Sequence, residues 1–189
     1  RLEIVGYSVD IHATGEEYFA QFESCCKVAK ATKIVTISVP SSPLGTPFNE
    51  EVERLQRLAD IGKTYGVRVA VKGMLGRLTE DPDTVKVMCE HIKGLGFSFD
   101  PSQYLCGPYS NRDLDHLMKY VFQVSLRDST EKKIQVRIGQ GVIDYGKLIH
   151  QLRRAGYSQA LCAHFAPVDG VDHDSEMRTF RMLIESLLM

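Results

Sequence analysis

Short apolar segments alternate with amphipathic segments along the whole chain, and this alternation constrains the fold more than any other feature. The apolar runs are rich in β-branched and aromatic residues, and they occupy positions 2–9, 33–40, 67–74, 95–101, 122–128 and 160–165. Runs that are apolar on both faces are typical of strands covered on both sides of a sheet. The sequence therefore predicts six strands.

Helical periodicity fills the intervals between these runs. We predict helices over 16–31, 49–65, 82–93, 111–120, 145–155 and 174–188. Asn49 and Asp81 are suitable N-terminal caps, and Gly66 stands where a left-handed residue ends a helix. Strands and helices that alternate in this way imply parallel strands with right-handed crossovers.

Two architectures accommodate such repeated βα units, an open doubly wound sheet and a barrel. The chain has no Gly-rich phosphate loop, which is the usual sign of a nucleotide-binding doubly wound sheet. We therefore predict an α/β fold, a (β/α)8 TIM barrel, that forms one domain over residues 1–189. Because a closed barrel has eight strands and Arg1 stands directly before a strand-like run, we expect the first two βα units to be missing.

Composition narrows the class of protein. The chain has 189 residues, 43% of them hydrophobic and 25% charged, which is ordinary for a globular domain. A net charge of −1 provides no general attraction for nucleic acid or an anionic membrane, and no apolar run is long enough to span a bilayer. The five cysteines form no CxxC pair, so we expect reduced thiols and a cytoplasmic location.

Polar side chains stand at or just after the ends of several predicted strands. In parallel α/β folds these ends meet at one rim, where the chemistry is found. The residues that we expect at this rim are Lys72, Asp100, Gln103, Ser125 and His164. Asp128 also follows a predicted strand, but side-chain alternation puts Ser125 and Arg127 on one face and Leu126 and Asp128 on the other, so we expect a structural role for Asp128 unless the strand has already ended.

After an earlier FDPSQ, the motifs VSLRD, GQGVID, GY and ALCAHF follow one another between Ser125 and His164 or directly beside them. This order resembles the xylose-isomerase-like TIM barrels, which include sugar isomerases, epimerases and AP-endonuclease-like enzymes. In that family a strand ending in His-x-x-Asp precedes a Gly-x-Gly-x-Ile-Asp segment, a helix, a Gly-Tyr pair and another strand. The resemblance covers nearly the whole chain and implies the barrel fold and carbohydrate chemistry.

The resemblance also implies a divalent metal held by Glu, Asp, His and Glu from four strand ends. The corresponding positions here are Lys72, Asp100, Ser125 and His164. Only Asp100 keeps the expected ligand, and the ammonium of Lys72 has no lone pair and repels a cation. We therefore expect no cofactor in the usual site. A metal (Mg, Mn, Co or Zn) would need a rearranged site built from Asp100, Gln103 and His164.

The predicted catalytic residues are Lys72, Asp100 and His164. If Lys72 and Asp100 face the same rim, their ion pair replaces the charge of a metal, and a partly buried lysine can act as a base or a Schiff-base nucleophile. His164 is a candidate for proton transfer. The structural alternatives are a solvated lysine, a turn at Asp100-Pro101 and a hydrogen-bonded histidine at a strand end.

The predicted substrate-binding residues are Gln103, Ser125 and Arg137. Gln103 stands where the family often has a histidine, and Ser125 is a small replacement for a ligand. The resemblance places Arg137 in a loop that contacts substrate, where its guanidinium would hold an anionic group.

The strand ends nearest the start of the chain argue against a DNA-repair nuclease. The AP-endonuclease-like members carry metal-binding histidines there, and Tyr7 and Ser38 occupy the corresponding positions here. The leading hypothesis is therefore a sugar isomerase or epimerase that transfers a proton next to a carbonyl. The alternative is a non-catalytic sugar-binding or scaffold barrel. The expected partner is a small carbohydrate or sugar acid rather than nucleic acid or membrane. The sequence leaves open whether the protein forms a homo-oligomer.

Overall fold

A computed structural model describes residues 4–189 of the chain and contains six parallel strands. Each apolar run contains one strand, as predicted, although positions 2 and 3 of the first run lie outside the described residues. The strands are Tyr7–Ser8 (β1), Thr36–Pro40 (β2), Arg68–Lys72 (β3), Leu95–Phe99 (β4), Val121–Leu126 (β5) and Leu161–Ala163 (β6).

Helices follow the strands in the predicted alternation. The α-helices are Gly15–Ala31 (α1), Phe48–Tyr65 (α2), Pro82–His91 (α3), Pro101–Leu105 (α4), Tyr145–Arg154 (α5) and His173–Leu188 (α6), and Leu78–Glu80 and Asp115–Tyr120 are 3-10 helices. No helix in the described part of the chain is long and apolar enough to cross a bilayer.

The helix predicted over 111–120 is wrong in its first half. Only Asp115–Tyr120 is helical, and it is a 3-10 helix. The side chain of Asp113 accepts a hydrogen bond from the amide of Asp115 at 2.9 Å. Such a local turn competes with the helical backbone pattern, so the regular α-helix does not form.

Most helix boundaries agree with their capping residues. Asp81 accepts hydrogen bonds from the amides of Asp83 and Thr84, and Gly66 ends α2 with a φ of 73°, as the sequence predicts. The prediction that Asn49 caps α2 is wrong, because that helix already begins at Phe48.

The sheet follows chain order from β1 to β6, with every neighbouring pair parallel. A doubly wound sheet would reverse its strand order at a switch point, whereas a barrel adds each strand beside the last. Strands β2 and β3 also approach β5, which shows that the sheet curls. The predicted TIM-barrel class is confirmed as a curled, six-stranded partial barrel.

The helices cover the outer face of this curled sheet. One core cluster packs β2 and β3 against α1 and α2, and another packs β5 against α5 and α6. Along β5, Val124 and Leu126 belong to this outer core. Because side chains alternate along a strand, the intervening Ser125 and the following Arg127 face the concave side.

Candidate active site at the carboxyl ends of the strands

The concave side of the sheet holds a cavity of about 460 Å³ near the carboxyl ends of the strands. Five of the six predicted site residues line it, namely Lys72, Asp100, Gln103, Ser125 and His164. They come from β3, β5 and the segments that directly follow β4 and β6. The tertiary structure therefore brings most of the predicted rim together.

Arg127, which the sequence analysis did not select as a site residue, also lines this cavity. Its Nη2 atom donates a hydrogen bond to Oδ2 of Asp100 at 2.7 Å and another to Nδ1 of His164 at 2.9 Å. The other carboxylate oxygen of Asp100 accepts from the amide of Ser102 at 3.0 Å. One guanidinium thus connects the ends of β4 and β6.

The predicted ion pair between Lys72 and Asp100 is wrong, because Asp100 pairs with Arg127 instead. Alternation along β5 was the available signal: it places Arg127 on the same face as Ser125. The Nη2 nitrogen of the guanidinium carries two N–H donors, one for the carboxylate and one for the imidazole.

Lys72 lines the cavity, and its ammonium has no partner among residues 4–189. Its Nζ makes no hydrogen bond or ion pair with any described residue, although it lines the same cavity as Asp100. Burial lowers the pKa of Lys72, with Asp10 opposing the shift and Arg77 adding to it. A larger fraction of this lysine is therefore a neutral amine than at the protein surface.

His164 is held in one tautomer by its contact with Arg127. A guanidinium can only donate hydrogen bonds, so Nδ1 must be the unprotonated acceptor and the proton resides on Nε2. His164 is exposed at the rim of the cavity, yet desolvation by the groups around its ring lowers its pKa, Arg127 and Lys72 lower it further, and Asp100 opposes them. The imidazole is therefore a neutral group whose Nε2–H can donate.

Gln103 and Ser125 provide polar groups on either side of this cluster. Oε1 of Gln103 accepts from the backbone amide of Leu75 at 3.0 Å, which fixes the carboxamide. Its amide nitrogen makes no hydrogen bond within residues 4–189, so it can donate to a ligand. The hydroxyl of Ser125 lines the same cavity.

Arg137, the remaining predicted substrate-binding residue, is not brought to the cavity. It lies half exposed beside α6, where its guanidinium is 3.4 Å from Oε1 of Glu176. The other oxygen of Glu176 accepts from the backbone of Ile138 at 2.9 Å. Arg127 is the arginine that lines the cavity.

The GQGVID segment folds around Asp128, just after the end of β5. Oδ2 of Asp128 accepts from the amides of Gly139 at 2.8 Å and Gly141 at 3.0 Å, and Oδ1 accepts from Ser129. A Cβ atom at position 141 would overlap this carboxylate. Asp128 therefore holds the loop and points away from the cavity, on the face that strand alternation predicts for it.

The cavity residues do not fit the metal site that the resemblance implies. No three His, Cys, Asp or Glu side chains within the described residues form a metal-binding group. Asp100 and His164 each direct a ligating atom at Arg127. A divalent ion placed between them would also meet two cationic side chains, Arg127 and Lys72, with one carboxylate to offset them.

Solved structures with the same fold are longer than this chain. A xylose isomerase domain protein from Planctomyces limnophilus superposes with a TM-score of 0.78 at 14% identity, over 98% of this chain and 76% of its own. A D-tagatose 3-epimerase-like protein has a TM-score of 0.75 at 14% identity, over 97% and 79%. The IOLI protein, solved with a bound zinc atom, has a TM-score of 0.76 at 14% identity, over 97% and 75%. At these identities the similarity shows a shared fold.

Sequence comparison places the chain in a family. No curated protein matches the sequence. The family described as "Xylose isomerase-like TIM barrel" matches residues 3–179, which is most of the chain. The strand order and the position of the cavity agree with that match. The chain therefore belongs to the xylose isomerase-like TIM barrel family.

Proposed function

We propose that the protein binds a small carbohydrate in the cavity and transfers a proton at a carbon next to the sugar carbonyl, as an isomerase or epimerase. The observation that carries this proposal is that Lys72 and His164, two groups able to exchange protons, line one cavity at the carboxyl ends of the strands. A volume of about 460 Å³ suits a small ligand. The fold shared with a D-tagatose 3-epimerase-like protein supports the same reaction class.

The two residues have complementary roles in this reaction. Lys72, once it has lost its own proton, accepts a proton from the carbon beside the carbonyl, and the electron pair of the broken C–H bond forms an enediolate. The Nε2–H of His164 donates a hydrogen bond to the oxygen on which the negative charge develops and keeps its proton. Delivery of a solvent proton to the opposite face of the same carbon gives an epimer, while Lys72 loses its proton to solvent. Return of the proton from Lys72 to the neighbouring carbon, with the hydroxyl proton passing to the former carbonyl oxygen, gives an isomer.

Asp100 acts through Arg127 rather than on the sugar. Its carboxylate holds the guanidinium, and the guanidinium holds the unprotonated nitrogen of His164. Asp100 is thus a positioning residue in this scheme. Gln103 and Ser125 provide hydrogen-bonding groups for sugar hydroxyls.

Solvent exchange tests the proposed reaction. The protein is incubated in D2O with a panel of aldoses, ketoses and sugar acids, and mass spectrometry follows deuterium incorporation into each sugar. We expect incorporation next to the carbonyl of at least one sugar and a loss of about 100-fold or more in Lys72→Met. Lys93→Met is the matched control, because Lys93 is exposed and outside the cavity. Exchange that is equally fast in both variants would contradict the role of Lys72.

A non-catalytic sugar-binding protein is the second candidate. The observation that favours it is that Arg127 occupies hydrogen-bonding atoms of both Asp100 and His164. Calorimetric binding of a sugar that undergoes no deuterium exchange would support this candidate over the enzyme.

A further inference from the structure

We propose that the guanidinium of Arg127 takes the place of the divalent metal in this cavity, holding the carboxylate and imidazole at the strand ends and binding oxygen atoms of the ligand. The exclusion of metal follows from the residues of the cavity and does not depend on the proposed function. The contact with a ligand rests on the proposed function.

The guanidinium of Arg127 lies between two groups that could hold a metal. Asp100 and His164 carry carboxylate and imidazole groups, which divalent metals prefer. Both groups contact the same atom, Nη2 of Arg127, at 2.7 Å and 2.9 Å. The space between the two candidate ligands is therefore filled by a cationic group of the chain itself.

The charges of the cavity side chains also disfavour a bound metal ion. An arginine stays protonated, and the side chains of Arg127 and Asp100 are only 13% and 9% exposed. A metal ion that bound Asp100 would displace the guanidinium from its carboxylate and leave it without that counter-ion in a nearly buried position. Lys72, which lines the same cavity, adds further repulsion.

The cavity has more unpartnered hydrogen-bond donors than acceptors. Nε of Arg127 is buried and has no partner within residues 4–189. Nζ of Lys72 and the amide nitrogen of Gln103, both in the cavity lining, have none in that part of the chain either. Among the described lining residues, Oε1 of Gln123 is the one unpartnered buried acceptor. The cavity therefore favours a ligand rich in acceptor oxygens, such as an α-hydroxy ketone or a sugar acid.

Metal titration tests the exclusion without any measurement of activity. The chelator-treated protein is titrated with Mn²⁺, Zn²⁺ and Mg²⁺ by calorimetry and by thermal shift. We expect no stoichiometric binding in the cavity. If a metal binds the wild-type protein and His164→Asn abolishes that binding, the metal lies in the cavity, in the rearranged site, and the proposal is overturned. Binding that survives this substitution lies elsewhere and agrees with a metal-free cavity.

A variant that removes the guanidinium provides the converse test. Arg127→Asp replaces the cationic guanidinium with a carboxylate. This carboxylate is a third candidate metal ligand beside Asp100 and His164. We expect this variant to bind Mn²⁺ or Zn²⁺ at least about tenfold more tightly than the wild-type protein does. Equal metal affinity in the folded variant would contradict the view that Arg127 keeps the cation out. Circular dichroism establishes that the variant is folded.

Ligand affinity tests the other half of the proposal. D-fructose and D-glucuronate are the probes, measured by calorimetry against the wild-type protein and Arg127→Lys, which keeps the positive charge but loses the planar fork. We expect a loss of about tenfold or more in affinity for whichever probe binds. Unchanged affinity would remove Arg127 from ligand binding. If neither probe binds the wild-type protein, the contact of Arg127 with these ligands fails, while deuterium exchange with the wider sugar panel still decides the proposed function and the metal titration still decides the exclusion.

Discussion

Nη2 of Arg127 lies 2.7 Å from Oδ2 of Asp100, and this ion pair connects the end of β5 to the end of β4. Both side chains are largely buried. Because water screens them poorly, each charge depends on the other for its stability. The pair is therefore a structural element of the cavity as well as a part of its chemistry.

Removal of one member of this pair should destabilise the fold. We expect Arg127→Met to lower the free energy of unfolding by about 3 kcal/mol, because Asp100 is left as an unpaired, largely buried carboxylate. The double variant Arg127→Met/Asp100→Asn should recover at least half of that loss. Urea unfolding followed by circular dichroism measures both.

An exposed ion pair provides the control for this experiment. Arg181 and Glu185 lie one turn apart on α6 at 2.7 Å, and their side chains are mostly exposed. Arg181→Met should change the free energy of unfolding by less than about 0.5 kcal/mol. If Arg127→Met costs no more than Arg181→Met, the buried pair does not stabilise the fold.

The titration of His164 should be shifted to low pH. Desolvation by the groups around the ring, together with the charges of Arg127 and Lys72, holds the pKa of His164 below its ordinary value of 6.5. NMR titration of the imidazole protons, with the resonance assigned by its loss in His164→Asn, should give a midpoint below 6.5. Lys72→Met should move that midpoint upward, since it removes one of the cationic neighbours. A wild-type midpoint above 6.5 would contradict the arrangement.

The same shift predicts a pH dependence of stability. Because the pKa of His164 is lower in the folded state, the unfolded state binds more protons between that pKa and about 6.5. The contribution of His164 to the free energy of unfolding is therefore full above pH 6.5 and falls as the pH drops through this window. Urea unfolding at several pH values should show a steeper fall in the wild-type protein than in His164→Asn. Equal slopes would contradict the linkage.

Lys72 should titrate below an ordinary lysine. Burial lowers its pKa from 10.5, and Arg77 adds to the shift while Asp10 opposes it. Reductive methylation with carbon-13 gives each lysine an NMR signal, and Lys72→Met identifies the one of interest. We expect its midpoint to lie below 10.5. A midpoint at or above 10.5 would contradict the role of Lys72 as the base.

The loop around Asp128 should depend on that carboxylate. Asp128→Ala removes the acceptor of three backbone amides, and we expect a loss of about 3 kcal/mol in the free energy of unfolding. Glu131→Ala is the matched control, because Glu131 is an exposed acidic residue of the same loop. Urea unfolding compares the two variants. A loss below about 1 kcal/mol for Asp128→Ala would show that the loop does not need this carboxylate.

Much of the architecture follows from local patterns. Apolar runs and helical spacing predict the six strands, their parallel order and a common rim, because periodicity reflects which faces are buried. The helix predicted over 111–120 failed because a side-chain turn at Asp113 displaced regular helix geometry. The short helix Pro101–Leu105 was missed because the Asp100-Pro101 pair indicates a turn and a helix start equally well.

Pairing between strand ends required the tertiary structure. Phe97 pairs with Val121 but Ser98 pairs with Gln123, so the register between β4 and β5 shifts by one residue. This shift determines which β5 side chains stand beside Asp100, and an irregularity of this kind leaves no periodic signal in either strand.

The sequence by itself determined that the chain alternates strands and helices, that Lys72, Asp100, Gln103, Ser125 and His164 would meet at one rim, and that Asp128 would face away from it. Only the tertiary structure decided that Arg127, rather than Lys72, holds Asp100 and that Arg137 pairs with Glu176. The reason is physical. The face on which a side chain lies depends on its own strand, whereas its partner depends on register and curvature between strands that are distant in sequence.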